Sequence, residues 1–270
     1  MTVLYTVICL AALGLIFSVV LYFVAKAFKV EEDGRIDQVE ALLPGANCGG
    51  CGNAGCRAFA EKAVKADTLD DLFCPVGGNE AMKKIAVLLG RSVAEREPLV
   101  AVVRCKGSHE KCPSVNVYDG STCRSAATLY AGPKGCSFGC LGGGDCVKVC
   151  DRGAIAIDSV TGLATIDADK CGGCGKCVKA CPRNVIELRP KGQDVYVTCL
   201  NRDKGAVTRK ACSVGCIGCG KCARNCPTGA ITLTANVAYI DFTKCIGCRM
   251  CEIGCPAGSI SVRGFKEDKI

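Results

Sequence analysis

The stretch that decides the fold is C-G-G-C-G-K-C-V-K-A-C-P at residues 171–182. It recurs as C-I-G-C-G-K-C-A-R-N-C-P at 216–227 and as C-I-G-C-R-M-C-E-I-G-C-P at 245–256. Each copy has the spacing C-x2-C-x2-C-x3-C-P. Three cysteines at such intervals can surround one face of an iron–sulfur cubane, and the fourth ligates a neighbouring cluster. Structural zinc sites use separated C-x2-C pairs instead, so the pattern predicts four-iron clusters.

The crossed ligation assigns two clusters to the last two copies. One takes Cys216, Cys219, Cys222 and Cys255, and the other takes Cys245, Cys248, Cys251 and Cys226. The chain also repeats itself, since Cys136-x3-Cys140-x5-Cys146-x3-Cys150 aligns with Cys212-x3-Cys216-x5-Cys222-x3-Cys226. Paired β-strands are predicted after each copy, at 155–158 with 163–167 and at 230–233 with 237–241. Two copies of one two-cluster unit explain this repeat.

The first unit departs from the pattern. Gly143 stands where the second unit has Cys219, and Asp151 replaces the proline after Cys150. One cluster is still expected on Cys150, Cys171, Cys174 and Cys177. Its neighbour is expected on Cys140, Cys146 and Cys181, with Cys136 as the replacement for the missing ligand.

A further set of cysteines precedes these units, spaced Cys48-x2-Cys51-x4-Cys56-x17-Cys74 and followed by Pro75. Its loop is rich in glycine, which lets backbone amides turn towards a negatively charged group. Apolar spacing predicts helices near 35–43, 57–66 and 80–89 around it. An iron–sulfur cluster is expected here, with tetrahedral zinc as the alternative.

Twenty of the 26 cysteines are thereby assigned to five clusters. The remaining six are Cys9, Cys105, Cys112, Cys123, Cys199 and Cys212. Cys105, Cys112 and Cys123 are candidates for a sixth cluster or a zinc ion, with His109 as an additional donor. Spare buried thiols are the alternative.

The N-terminal stretch VLYTVICLAALGLIFSVVLYFVA, residues 3–25, carries no charge. It is long enough to cross a hydrocarbon core of about 30 Å. A cleaved signal peptide is the alternative, but no basic side chain precedes the stretch. Lys26 and Lys29 flank its C-terminal end, which places the rest of the chain in the cytoplasm. Thiols stay reduced there, so the cysteines are interpreted as metal ligands.

Composition limits the function further. A single histidine, His109, excludes catalysis by paired histidines and haem with two histidine ligands. The formal charge of +8 would favour binding to nucleic acid. However, each oxidised four-iron cluster with four thiolates contributes a charge of about −2. Five clusters would bring the net charge to about −2, so no nucleic-acid partner is expected. The basic stretch Arg202, Lys204, Arg209 and Lys210 is interpreted as a solvated connector or as a docking patch for an acidic electron donor.

Three features together resemble the iron–sulfur component of the Rnf complex, its component B. They are the apolar span, the two ferredoxin units, and the stretch A-L-L-P-G-A-N-C-G-G-C-G-N-A-G-C at 41–56 with Cys74-Pro75. That resemblance implies a membrane-anchored electron-transfer subunit of an ion-translocating ferredoxin:NAD⁺ oxidoreductase. Reduced ferredoxin, or flavodoxin, would be the donor, and other Rnf-type membrane subunits would be the acceptors. The implied location is the cytoplasmic (inner) membrane, single-pass, with the C-terminal domains in the cytoplasm.

The expected fold is therefore α+β, with a transmembrane helix, a small helical 4Fe-4S domain and two tandem bacterial-type two-cluster ferredoxin units. The expected boundaries are 1–28, 29–95, 96–192 and 193–270. Competing interpretations are a membrane-tethered polyferredoxin of another respiratory or hydrogenase complex and, from another class, a structural zinc protein or a redox sensor. No bond-making active site and no catalytic side chain are expected, because the protein's part in the chemistry is to hold one-electron centres in series.

Overall fold

The computed structural model describes residues 2–27, 33–116, 122–128 and 132–263. Its N-terminal element is helix α1 (Thr2–Ala27). Its described side chains are exposed. Within α1, the 21 residues Leu4–Val24 have a mean hydropathy of 2.8, and among the described residues this is the one helix long and apolar enough to cross a membrane. The side chain of Cys9 lies outside the described part of the chain.

Three helices form a small domain after this segment: α2 (Arg35–Leu42), α3 (Cys56–Lys65) and α4 (Gly78–Leu89). Their apolar faces meet in a core that contains Val39, Phe59, Met82 and Ile85, each 1% exposed or less. Helix α4 ends at Gly90, whose φ of 64° is the left-handed conformation that favours glycine at a helix C-cap. The three helices predicted from apolar spacing are confirmed to within two residues.

The first strand-containing unit has two small antiparallel sheets. Strand β1 (Leu99–Val103) pairs with β4 (Ile186–Pro190), and β2 (Ile155–Ile157) pairs with β3 (Ala164–Ile166). Short helices lie between these strands: α5 (Cys123–Thr128), α6 (Asp145–Lys148) and α7 (Lys176–Ala180). The β2–β3 hairpin was predicted from sequence and is confirmed. The β1–β4 pairing joins segments more than 80 residues apart and had no sequence signal.

The second unit repeats this arrangement. Strand β5 (Val195–Val197) pairs with β8 (Ile260–Val262), and β6 (Ile231–Thr234) pairs with β7 (Val237–Ile240). Its helices are α8 (Gly205–Ala211), α9 (Lys221–Arg224) and α10 (Met250–Ile253). Ala235 and Asn236 join β6 to β7 with φ values of 47° and 62°, as a two-residue turn of a twisted hairpin requires. The predicted β6–β7 pair is therefore confirmed, and so is the expected mixture of helices and strands.

Two buried arginines join the two units. Arg104 Nε donates a hydrogen bond to the carbonyl of Val197 at 3.1 Å, and Arg189 Nη2 donates to the carbonyl of Ile240 at 2.9 Å. Both guanidinium groups pair with Glu187. Their central carbons also lie 5.1 Å and 5.4 Å from the centre of the Tyr239 ring, within cation–π range. The seam between the units is thus buried and charged.

Candidate metal centres

In the second unit, four cysteines line one cavity of about 370 Å³: Cys216, Cys219, Cys222 and Cys255. The first three lie on the loop before α9 and on α9 itself, and Cys255 follows α10. Gly218 has a φ of 65°, and a Cβ at this position would lie 2.7 Å from the carbonyl oxygen of Asn236. Glycine between the first two cysteines therefore lets the loop lie against the β6–β7 turn. The structure brings together the four cysteines that the spacing groups.

The last quartet surrounds the start of α10. Burial raises the pKa of Cys251 to about 11, and the nearby Cys245 thiol adds to this rise. The two cysteines that precede proline behave differently. Burial alone would raise the pKa of Cys226 and of Cys255, but hydrogen bonds from neighbouring hydroxyl and amide groups outweigh it and lower both values. The hydroxyls are those of Thr228 and Ser259, 3.6 Å and 3.4 Å from the respective sulfurs.

In the first unit, a cavity of about 520 Å³ is lined by Cys150, Cys171, Cys174 and Cys177, and also by Cys48 of the helical domain. The amide of Ala101 on β1 donates to the Cys171 sulfur at 3.4 Å. Burial raises the pKa of Cys177 to about 11, and the thiols of Cys171, Cys174 and Cys150 raise it further because each disfavours a second thiolate nearby. The four cysteines grouped by sequence are neighbours here as well.

The other cavity of the first unit differs from the expectation. Its volume is about 360 Å³, and its cysteines are Cys140, Cys146, Cys181 and Cys123. Cys136, the predicted fourth ligand, lines a different cavity. Burial raises the pKa of Cys146 to about 12, with added contributions from Cys140, Cys123 and Cys181, which shows that these four thiols are neighbours.

The physical reason for this correction lies at Gly143. A Cβ on Gly143 would come within 2.7 Å of the Cys123 amide nitrogen and 3.1 Å of its sulfur. The space that a cysteine at position 143 would fill is therefore taken by Cys123, which enters from α5. That helix is held in place by a hydrogen bond of 3.0 Å from the Arg124 amide to Asp145 on α6. No spacing rule connects Cys123 with the later cysteines, so sequence reasoning missed its place.

Cys136 lies instead in a cavity of about 380 Å³ with Cys105, Cys112, Cys199 and Cys212. The thiols of Cys112 and Cys212 are neighbours, and their interaction lowers the pKa of Cys112 and raises that of Cys212. His109 does not line this cavity; its ring lies against Gly162, in the turn between β2 and β3. The suggested grouping of Cys105, Cys112, Cys123 and His109 is therefore not what the structure brings together.

In the helical domain, Cys48, Cys51, Cys56 and Cys74 lie around the loop before α3 and the loop before α4. The Gly77 amide donates to the Cys74 sulfur at 3.4 Å, and the Asn53 side chain donates to the Cys51 sulfur at 3.5 Å. Burial raises the pKa of Cys74, and the thiols of Cys51 and Cys48 add to the rise. A Cβ on Gly50 would lie 2.8 Å from the carbonyl oxygen of Cys174, so this loop contacts the first unit directly.

The donor sets fit clusters better than single ions. In the described part of the chain, no group of three or more His, Cys, Asp or Glu side chains is close enough to hold one metal ion. Four sulfurs around one zinc ion would lie about 3.8 Å apart, given Zn–S bonds of about 2.3 Å. A cubane carries an iron at each of four corners and so takes a wider set of thiolates. Thiol-lined cavities with N–H groups aimed at the sulfurs match that requirement.

Comparison with known proteins agrees with this chemistry. Two segments, 136–185 and 215–259, match a family described as a 4Fe-4S dicluster domain. A second dicluster family matches 170–231, and residues 43–75 match a family described as a putative Fe-S cluster. The matched segments contain all three of the C-x2-C-x2-C-x3-C-P quartets and the N-terminal cysteine set.

Relatives match nearly the whole chain. A protein of Clostridium ljungdahlii is 47% identical to this chain, over 89% of this chain and 84% of its own length. It is named as component B of a proton-translocating ferredoxin:NAD(+) oxidoreductase complex. An Acetobacterium woodii protein, named as the corresponding component of a Na(+)-translocating complex, is 44% identical, over 87% of this chain and 70% of its own. A Methanosarcina acetivorans protein, named as component B of an ion-translocating oxidoreductase complex, is 41% identical, over 87% and 89%.

Proposed function

Because this chain belongs to the component B family of Rnf complexes, the ion-translocating ferredoxin:NAD(+) oxidoreductases, we propose that its thiol sites form one continuous path for electrons. The chain is the iron–sulfur electron-transfer subunit of such a complex, and its dicluster domains are of the 4Fe-4S type. A four-iron cluster bound to cysteine thiolates supplies one-electron transfer. The side chains around each site hold it, exclude water from it and set its potential.

We assign five ligand sets, and a shared cavity supports three of them. The second unit holds two sets that cross between its quartets, and the first unit holds two that cross in the same way, with Cys123 in place of Cys136. The helical domain holds the fifth. The proposed ligands are Cys48, Cys51, Cys56 and Cys74; Cys150, Cys171, Cys174 and Cys177; Cys123, Cys140, Cys146 and Cys181; Cys216, Cys219, Cys222 and Cys255; Cys226, Cys245, Cys248 and Cys251.

The observation that carries the proposal is that adjacent sites touch. Cys48 of the helical domain lines the same cavity as Cys174 of the first unit. Within that unit, Cys177 lies on α7 and Cys181 directly follows it, yet the two thiols serve different sites. Short steps of this kind through protein are what a series of one-electron centres requires. The domain boundaries proposed from sequence, 29–95, 96–192 and 193–270, each enclose such sites.

The ends of the path differ in exposure. Cys219 and Cys248, both in the second unit, are exposed, whereas most of the other thiols are buried or half-buried. Arg209 and Lys210 on the neighbouring α8 line a shallow surface hollow together with Ile217, which precedes Cys219 by two residues. An acidic electron carrier such as reduced ferredoxin would be steered to this surface. We place electron entry at the second unit for this reason.

The opposite end is next to the membrane. The helical domain follows α1 in the chain, and Leu4–Val24 is apolar enough to span a bilayer. The proposal is a single-pass anchor with residues 33–263 on the cytoplasmic side, where Lys26 and Lys29 would also remain. The anchor keeps the helical domain close to membrane subunits that take up the electrons.

The proposal is tested with the anaerobically purified chain in detergent. Reduced ferredoxin is mixed with it in a stopped-flow instrument, and the visible absorbance of the iron–sulfur centres is followed. We expect bleaching on mixing, with at least about 20 iron and 20 sulfide per chain. Cys251→Ser tests a ligand, and Lys84→Met, at an exposed lysine of α4, serves as the control. A colourless chain that contains zinc, or one that reduced ferredoxin does not bleach, would contradict the proposal.

A further inference from the structure

We propose a sixth four-iron site at the seam between the two ferredoxin units, held by Cys105, Cys136, Cys199 and Cys212. The inference rests on the proposed electron path and names the step between its two units. Cys105 lies outside the segments that match iron–sulfur families, and the C-x2-C-x2-C-x3-C-P pattern includes none of the four. Their cavity of about 380 Å³ is close in size to two of the three cavities lined by complete cysteine sets, at about 370 Å³ and 360 Å³; the third is about 520 Å³.

The four cysteines form two equivalent pairs. Cys105 follows β1 by two residues, as Cys199 follows β5. Cys136 precedes Cys140 by four residues, as Cys212 precedes Cys216. Each unit thus contributes one cysteine after its first strand and one before its first quartet. A site at a pseudo-twofold seam receives two ligands from each side.

Buried N–H groups point at three of the four sulfurs. The Asn201 amide donates to the Cys199 sulfur at 3.4 Å, and the Asn201 side chain donates to the Cys136 sulfur at 3.6 Å. The Cys140 amide donates to the Cys105 sulfur at 3.3 Å. Cys112, the fifth thiol in the cavity, belongs to neither of the two equivalent pairs. It is therefore assigned a supporting role and not a corner of the site.

Two glycines leave room between the sulfurs. A Cβ on Gly107 would lie 3.2 Å from the Cys212 sulfur and 3.8 Å from that of Cys105. A Cβ on Gly139 would lie 3.4 Å from the Cys105 sulfur and 3.8 Å from that of Cys136. Neither glycine has a positive φ, so its backbone does not require glycine. What glycine provides here is space beside three of the four thiols.

A buried cation faces this space. Lys134 is 5% exposed and lines the cavity, and its Nζ donates to the carbonyl of Gly107 at 2.9 Å. Among the described residues, its Nζ makes this hydrogen bond and no ion pair. A buried ammonium is costly without a negative partner. A cluster with four thiolates carries about −2 when oxidised and supplies that charge.

The position of the site between the two units accounts for its proposed role in electron transfer. The amide of Cys140, a ligand in the first unit, donates to the Cys105 sulfur at 3.3 Å. Cys216, a ligand in the second unit, lies beside Cys199, and its amide acts against the rise in pKa that burial causes in the Cys199 thiol. The cavity therefore touches one ligand set from each unit. A centre here would divide the transfer between the two units into two shorter steps beside the seam of Arg104, Glu187 and Arg189.

The test measures iron, acid-labile sulfide and zinc on the anaerobically purified full chain. We expect about 24 iron and 24 sulfide in the unsubstituted chain, and about 20 of each in Cys199→Ser and in Cys212→Ser. Cys112→Ser, a change at an equally buried thiol of the same cavity, should keep about 24. About 20 iron in the unsubstituted chain would overturn the sixth site while leaving the electron path intact. Little iron in any sample would instead overturn the proposed function itself.

A second variant leaves all ligands in place. Lys134→Met should keep about 24 iron and lower the midpoint potential of one centre in an EPR-monitored titration, because the added electron loses a nearby positive charge. Lys84→Met, at an exposed lysine of α4, should leave every potential unchanged. Unchanged potentials in Lys134→Met, or loss of a cluster in Cys112→Ser with retention in Cys199→Ser, would overturn the assignment.

Discussion

Replacing Arg189 by methionine should weaken the seam between the two ferredoxin units. Arg189 is fully buried and donates hydrogen bonds to the carbonyls of Ile240 at 2.9 Å and Val195 at 3.4 Å. It also pairs with Glu187 and lies within 6 Å of the ring centres of Tyr196, Tyr239 and Phe242. Methionine fills part of the volume but leaves both carbonyls without a donor.

The magnitude follows from these contacts. Removing one partner of a buried ion pair costs about 3–5 kcal/mol, and a hydrogen bond to a charged group contributes about 1.5–3 kcal/mol. Glu187 keeps a second partner, since Arg104 remains 3.0 Å from its other oxygen. The loss should therefore be near the lower end, about 3 kcal/mol. If the seam is absent in the unfolding transition state, unfolding becomes about 100-fold faster.

Unfolding rates are the appropriate measurement, because loss of bound metal makes unfolding irreversible. The chain is diluted anaerobically into guanidinium chloride, and loss of visible absorbance and of circular dichroism is followed in time. Lys84→Met, which removes an exposed pair with Glu80 on α4, is the control and should unfold at the unsubstituted rate. An Arg189→Met chain that unfolds within twofold of the unsubstituted chain would refute the reasoning about the seam.

Three further predictions concern the sites. Cys123→Ser should lower the iron content by about four per chain, and an unchanged iron content would count against the place of Cys123 in that site. Arg209→Glu with Lys210→Glu should slow electron uptake from ferredoxin about tenfold at low salt, with the difference vanishing at high salt. Lys62→Glu with Lys65→Glu, on the distant α3, should have little effect, and equal slowing by both pairs would contradict a local docking surface. Burial raises the pKa of Cys146 to about 12 and of Cys177 to about 11, so at neutral pH each thiol must lose a proton before it binds iron. Cluster loss, followed by visible absorbance, should therefore accelerate as pH falls from about 8 to about 6, and a pH-independent rate would contradict this.

Much of this protein could be predicted from local spacing. The first three cysteines of each C-x2-C-x2-C-x3-C-P quartet are brought together locally, because three-residue intervals and a glycine such as Gly218 wrap the loop within a dozen residues. The apolar run at 3–25, the helices at 35–42, 56–65 and 78–89, and the β2–β3 and β6–β7 hairpins are likewise local. In each case the information lies in adjacent residues, so periodicity and turn chemistry are sufficient.

The long-range features required the tertiary structure. The β1–β4 and β5–β8 pairings, the exchange of Cys123 for Cys136 and the meeting of Cys105 with Cys199 all join segments far apart in the chain. The repeat showed that Cys136 and Cys212 are equivalent, but it did not show that they face each other. The sequence by itself determined what kind of centre this protein binds, because ligand type and spacing are chemical and local. Only the tertiary structure decided which thiols share a site, because that depends on how two units pack across a seam whose contacts have no period in the chain.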